Sequence, residues 1–193
     1  AYNINKNINA IIATYVKKEL GQTELKEVVM KLPKRRAEKS KAMKATFLAN
    51  AYEILGGKTY EKILPICAAM ELEMISQYYS NIIYDEKMNL DKKGIKESVM
   101  CSKITRNIAH KIILDQKIST EKKFTINNII NEIDLIVESA QYSECFENTY
   151  NRKKELSLEE MTKNYISNTY KMSAYFTEAE AEIAGVLTKA STE

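Results

Sequence analysis

The sequence predicts an all-α fold of about eight helices in one domain, and three observations predict it. Nearly every segment repeats its apolar residues at the i, i+3, i+4, i+7 spacing of a helix face. Five Gly and two Pro in 193 residues leave few places for tight turns, which argues against a β-sandwich or a Rossmann-type fold. Helix-end signals, a Gly-Gly pair and a Ser-x-x-Glu box, fall between these segments.

In chain order, "INAIIATYVKKEL" puts Ile8, Ile11, Ile12 and Tyr15 on one stripe. Gly21 and Thr23 end that helix and begin "TELKEVVMKL". Pro33 and the basic run "KRRAEKSK" read as a loop or a break. "AMKATFLANAYEIL" is a strongly apolar helix stopped by Gly56-Gly57. "TYEKILPICAAMELEMISQYYSNIIYDEKM" is long, and Pro65 either starts it or kinks it. After a loop around Gly94 come "KESVMCSKITRNIAHKIILDQ" and "TINNIINEIDLIVESAQYSECFENTYNRKKEL". The closing helices, "SLEEMTKNYISNTYKMSAYFTEAEAEIAGVL", open on a capping box, Ser157 with Glu160. No fixed-period repeat and no disordered linker divides the chain.

Composition narrows the function classes. A net charge of +3 does not imply nucleic acid, and no apolar run approaches the roughly 18 residues of a membrane span. Cys67, Cys101, Cys145 and the single His110 show neither zinc nor disulfide spacing, so a reduced, cytoplasmic protein with buried thiols is expected. His110, in the apolar "NIAHKII", reads as a packed or partly exposed histidine rather than a catalyst.

The stretch "SNIIYDEKMNLDKKG" carries what chemistry the residues offer by themselves. Asp85 and Asn89 are one helical turn apart, Glu86 is adjacent, and Lys92-Lys93-Gly94 follow. A helix end of that kind suits a metal ion and a phosphate; it is equally the ordinary charged end of a surface helix.

Six short matches, in order and at near-family spacing, resemble the trans-isoprenyl diphosphate synthases over roughly residues 5 to 190. "KSKAMKATFLANAYEILGG" is similar to the Gly-Gly-Lys-Arg-x-Arg-Pro block, with Lys41 on the lysine, Lys44 on the second arginine, and Ala42 and Ala45 on the other Arg and the Pro. Asp85, Glu86 and Asn89 fall on the first Asp-Asp-x-x-Asp motif, and Lys92, Lys93 and Gly94 on Arg-Arg-Gly. Asp115 matches Gly-Asp with Leu114 for the Gly, and Gln141 matches Gly-Gln-x-x-Asp with Ala140 and Glu144. Lys171 matches Lys-Thr, with Met172 for the Thr. The family's second aspartate-rich motif has no counterpart in the 193 residues.

The resemblance implies an isoprenoid-synthase-type helical bundle of which these are the front helices, one domain over 1–193 similar to the N-terminal two thirds of a synthase. It implies a prenyltransferase that condenses an allylic diphosphate with isopentenyl diphosphate, with Mg2+ on Asp85, Glu86 and Asn89. Asp85, Glu86 and Lys171 would be catalytic; Lys41, Lys44 and Lys93 would hold isopentenyl diphosphate; and Lys92, Gln141 and Lys171 would hold the allylic diphosphate. Lysine keeps the charge of arginine but not its fork. In the family, bulk just before the first aspartate-rich motif limits the growing chain, which descends between helices; Tyr78, Tyr79, Asn81 and Tyr84 fall there and are otherwise helix-packing residues. Catalysis is expected to need a second chain carrying the other aspartate-rich motif, the C-terminal half that a synthase of this family has, or a homodimer. A non-catalytic regulatory subunit is the alternative, and a helical interaction protein without a small-molecule ligand is the third reading.

Overall fold

The computed structural model describes residues 2–39, 42–84, 90–147 and 157–188. Among them are eight α-helices and no strand: α1 (Tyr2–Leu20), α2 (Glu24–Lys39), α3 (Met43–Ile54), α4 (Leu64–Tyr84), α5 (Lys92–Leu114), α6 (Thr120–Tyr142), α7 (Leu158–Thr169) and α8 (Tyr175–Thr188). A 3-10 turn (Tyr60–Ile63) leads into α4, and a π-turn (Tyr170–Ala174) joins α7 to α8. None of these helices is long and apolar enough to cross a membrane.

Local chemistry places most boundaries. At the end of α3, Gly56 adopts φ +92°, its N–H donates to the Glu53 carbonyl at 3.0 Å, and the Gly57 N–H donates to the Tyr52 carbonyl at 2.8 Å. This is a Schellman stop, and only glycine enters that backbone region without strain. Pro65 is the second residue of α4, where its missing N–H has no partner to lose, so it starts the helix rather than kinking it. The Ser157 hydroxyl accepts the Glu160 N–H at 3.3 Å while the Glu160 carboxylate accepts the Ser157 N–H at 2.9 Å, completing the capping box of α7.

Two expectations are corrected. Pro33 does not break the chain, because α2 continues through it to Lys39. Proline inside a helix costs about 3 kcal/mol, and burial of Val29, Met30 and Leu32 in the core offsets it. The loop expected around Gly94 is the first turn of α5, with Asp91 as N-cap accepting the Gly94 N–H at 2.7 Å.

α4 is the centre of the molecule, with thirteen of its residues buried. α5 runs antiparallel to it: the Ser76 hydroxyl donates to the Ser102 carbonyl at 3.0 Å, and Ser80 lies 3.1 Å from the Ser102 hydroxyl. α6 runs parallel to α4, since Gln77 meets Asp134 near mid-helix and the Cys145 thiol reaches the Tyr84 carbonyl at 3.8 Å. α8 is antiparallel to α6, with Tyr175 on Glu132 (3.3 Å) and the Lys122 ammonium on the Leu187 carbonyl (2.7 Å). The end of α4, the start of α5 and the end of α6 therefore share one end of the bundle. In contrast, α7 buries none of its side chains, and Leu158, Met161, Tyr165 and Ile166 are exposed.

Candidate diphosphate site at one end of the bundle

Lys41, Asp85, Glu86 and Asn89 lie outside the described residues. The others can be placed. Lys92 and Lys93 are the first two residues of α5; both are exposed, and Lys93 lies 3.7 Å from Glu97 one turn on. The α5 N-terminus adds its partial positive charge to these two ammonium groups, with the Asp91 carboxylate already taking up the Gly94 N–H.

Lys44, on the first turn of α3, is half-buried between α3 and α8. Its ammonium donates to the Thr177 hydroxyl at 2.6 Å, lies 3.4 Å from the Ser173 carbonyl, and sits 5.5 Å from the Phe176 ring centre. Ser173 belongs to the π-turn that carries Lys171, so the fold brings Lys44 beside the Lys171 turn across 127 residues of intervening sequence numbering (171 against 44). The π-turn lodges one extra residue in the helix, a device common at functional sites. Ala42, which stands on a motif arginine, is buried with φ +46° and offers no charge.

Gln141 and Tyr84 are also brought together. They line one cavity of about 270 Å³ with Glu138 and Tyr142, at the shared end of α4 and α6. Gln141 is buried and its amide donates to the Cys145 thiol at 3.3 Å. The Glu138 carboxyl is held above the usual carboxylate range by burial and by Asp134, against hydrogen bonds from Tyr84 and Ser80. Burial, followed by Glu138, likewise raises the Tyr84 phenol. The other tyrosines point elsewhere. Tyr79 is buried, and Tyr78 and Tyr79 border a groove with Val28, Leu32, Leu90 and Cys101 of the α2–α5 side. Asn81 is half-buried.

Asp115 is not part of this end. It caps the C-terminus of α5 at the start of α4, where Lys18 holds it at 2.9 Å and keeps its carboxyl below the usual range. A larger cavity of about 710 Å³ lies there, between Ile11, Tyr15, Tyr52, Pro65 and Leu187. Three of its polar side chains are engaged with the protein itself: Asp115 with Lys18, Thr14 with the Ala10 carbonyl (2.8 Å), and Gln116 with the Ile112 carbonyl (2.6 Å). The smaller cavity adjoins Tyr84 and Gln141, whereas this one adjoins Asp115 alone of the motif-like residues. His110 is half-buried with Nδ1 on the Asn127 side chain, as its apolar helix suggests.

Sequence reasoning missed a second set of residues. Glu73 and Gln77 of α4 and Asp134 of α6 are buried, and Arg106 of α5 pairs with Asp134. The Gln77 amide donates both to Asp134 and, at 3.3 Å, to Glu73. Burial, reinforced by Asp134, pushes the Glu73 carboxyl up to about 7. A similar group sits between α3, α4 and α8. There the fully buried Glu180 has no hydrogen-bond partner among the described residues and is pushed up to about 8, mainly by burial. Glu71 nearby holds Arg36 at 3.0 Å. The signal was present: Glu73, Gln77 and Ser80 recur at i, i+4 and i+7 along an otherwise apolar helix.

Among the described residues, no group of three or more His, Cys, Asp or Glu is arranged to hold a metal. Asp85, Glu86 and Asn89 follow directly on Tyr84, and their hard oxygen donors suit magnesium.

No family model and no curated protein matches the chain. Solved structures do. The crystal structure of geranylgeranyl pyrophosphate synthetase from Pyrococcus horikoshii Ot3 superposes with a TM-score of 0.74 at 14% identity, over 99% of this chain and 58% of that one. Geranylgeranyl pyrophosphate synthetase from the archaeon Geoglobus acetivorans gives 0.75 at 15% identity, over 98% and 60%. The chain thus has the helical fold of these synthetases and spans about three fifths of their length.

Proposed function

We propose that this chain is the front part of an isoprenyl diphosphate synthase, a prenyltransferase that joins an allylic diphosphate to isopentenyl diphosphate. One observation carries the reading. Gln141 shares a cavity with Tyr84 at the ends of α4 and α6, and Lys44 contacts the turn that carries Lys171, which supports a common site for these residues. A likeness to two geranylgeranyl pyrophosphate synthetases supports the same fold context.

In this proposal Asp85, Glu86 and Asn89 hold Mg2+, which supplies charge neutralisation to the departing diphosphate. Lys92 and Lys171, with the Gln141 amide, hold and orient the allylic diphosphate, and their ammonium groups balance the negative charge that grows as the carbon–oxygen bond ionises. Lys41, Lys44 and Lys93 hold isopentenyl diphosphate. Tyr84, which lines the cavity beside Gln141, limits the space open to the growing chain, while Tyr78 and Tyr79 border the α2–α5 groove. The remaining wall of the site comes from a second chain, from a homodimer partner or from further helices of the same polypeptide, in the cytoplasm.

A non-catalytic subunit that modulates a true synthase is the second reading. It is favoured by the engagement of Lys44 with Thr177 and of Lys93 with Glu97, which turns two phosphate-binding candidates towards the protein itself.

Turnover with labelled isopentenyl diphosphate, with and without the missing helical wall, decides. Product that appears only in the complete assembly, and falls at least a hundredfold with Asp85→Ala or Lys171→Ala, supports the enzyme. Product indifferent to both variants removes the site from this chain. An assembly that stays silent while this chain changes the kcat of a genuine synthase supports the regulatory reading.

A further inference from the structure

The cavity of about 710 Å³ at the far end of the bundle opens between α1, the 3-10 turn before α4, the α5–α6 connection and the end of α8. A concavity of that size, mostly apolar with a few polar groups at its edge, is the usual form of a small-molecule site. Its floor is apolar: Ile63 and Ile66 are buried, and Ile11, Ile118 and Leu187 are half-buried. Tyr52 supplies part of the wall. Gly57 permits that placement, since a Cβ there would come 2.3 Å from the Tyr52 ring.

The charge around this floor is unbalanced. Lys62, on the turn before α4, and Lys117, in the α5–α6 connection, both line the cavity and are exposed. Neither pairs with a carboxylate among the described residues. Asp115 is the one carboxylate of the lining, and Lys18 already holds it at 2.9 Å. We infer that this cavity binds an amphipathic organic anion, its apolar body against the isoleucine floor and its acid group at Lys62 and Lys117. The inference goes beyond the diphosphate reading and does not rest on it. The 21 residues of α4, about 30 Å at 1.5 Å per residue, separate the cavity from the Tyr84 end.

The two halves of the ligand do different work. Removing the isoleucine floor from water drives binding, and a bare phosphate cannot do that. Contacts between a small ion and exposed ammonium groups are worth little by themselves. The two lysines select instead: they favour an anion over a neutral molecule of the same shape. Residues from α1, the start of α4, the α5–α6 connection and α8 all line the cavity, so one occupant ties these elements together. By mass action it also stabilises the folded chain, and Tm rises with its concentration.

Titration calorimetry on this chain tests it with three probes: naphthoate, its uncharged amide naphthamide, and inorganic phosphate. Naphthoate is expected to bind at a single site, naphthamide about fivefold more weakly, and phosphate not measurably. The double variant Lys62→Ala, Lys117→Ala is expected to reduce naphthoate to the affinity of the amide. Ala10→Trp, at an exposed position of α1 that lines the cavity, fills the space with an indole and is expected to weaken both naphthyl probes roughly tenfold. Wild type that fails to bind naphthoate, or that binds it no better than naphthamide, overturns the inference. So does displacement of naphthoate by inorganic diphosphate with Mg2+, which would put the probe at the Tyr84 end. None of these wild-type results needs a variant to fold. Undiminished binding to folded Ala10→Trp would put the probe outside the cavity and overturn the inference as well.

Discussion

Glu180 gives the sharpest test of the interior electrostatics. Its side chain is fully buried among α3, α4 and α8, and neither carboxyl oxygen has a hydrogen-bond partner among the described residues. Burial raises its carboxyl from 4.5 to about 8, with Lys44 opposing the rise and Glu71 adding to it. The folded state therefore binds a proton that the unfolded state has released, and stability falls as pH climbs between those two values. At about 1.4 kcal/mol per pH unit, the interval from 4.5 to about 8 amounts to on the order of 5 kcal/mol, nearly all of it lost between pH 5 and pH 8. Glu180→Gln keeps the shape and abolishes the ionisation. Urea unfolding at pH 5, 7 and 9 should show the variant within about 1 kcal/mol of wild type at pH 5 and several kcal/mol more stable at pH 9. A variant less stable than wild type at every pH would mean that Glu180 is folded as a carboxylate paired with Lys44, and would refute the reasoning.

Other expectations follow from single contacts. Asp134→Leu removes one of the two acceptors of the Gln77 amide and the carboxylate partner of a half-buried Arg106, and should destabilise the fold by about 2–3 kcal/mol in urea unfolding. Glu73→Gln should flatten the stability profile between about pH 4.5 and 7, with the gain appearing on the alkaline side because its carboxyl is raised to about 7. Gly57→Ala places a methyl 2.3 Å from the Tyr52 ring, so the ring must move; a loss of about 1–3 kcal/mol is expected, read as a lower Tm. Ser157→Ala removes a cap worth about 1 kcal/mol. Because α7 buries no side chain, the effect should be roughly fivefold faster amide exchange in its first turn with the global midpoint unchanged.

The helices were legible because their signals are local. The stripe of Ile8, Ile11, Ile12 and Tyr15, the glycine stop after α3 and the Ser157 box each depend on a few neighbouring residues. Pro33 was misread because its local penalty is overruled by the burial of Val29, Met30 and Leu32, which only the tertiary fold supplies. Lys92 and Lys93 read as a loop because Gly94 outweighed Asp91, whose carboxylate in fact begins the helix.

The candidate site was legible in part: the order of the motif-like residues pointed to one end of the bundle, but Asp115 lies at the other. The buried Glu73, Gln77, Asp134 and Glu180 were not foreseen, because a charged letter at a helical position reads as solvent-facing until a facing stripe is known. For Glu180 the phase of Phe176, Ala179, Ile183 and Ala184, all buried, already singled it out from Glu178 and Glu182.

The contact between Lys44 and Thr177 also bears on the order in which the chain assembles. It joins residues 133 apart, whereas the Ser76–Ser102 contact within the α4–α5 hairpin spans 26. Loop-closure entropy makes the longer connection about 1.4 kcal/mol harder to form. The α4–α5 pair is therefore the natural nucleus, and α8 docks on α3 late. Any opening of the α3–α8 seam in the native protein would in turn release Lys44 from Thr177 and free its ammonium for another partner.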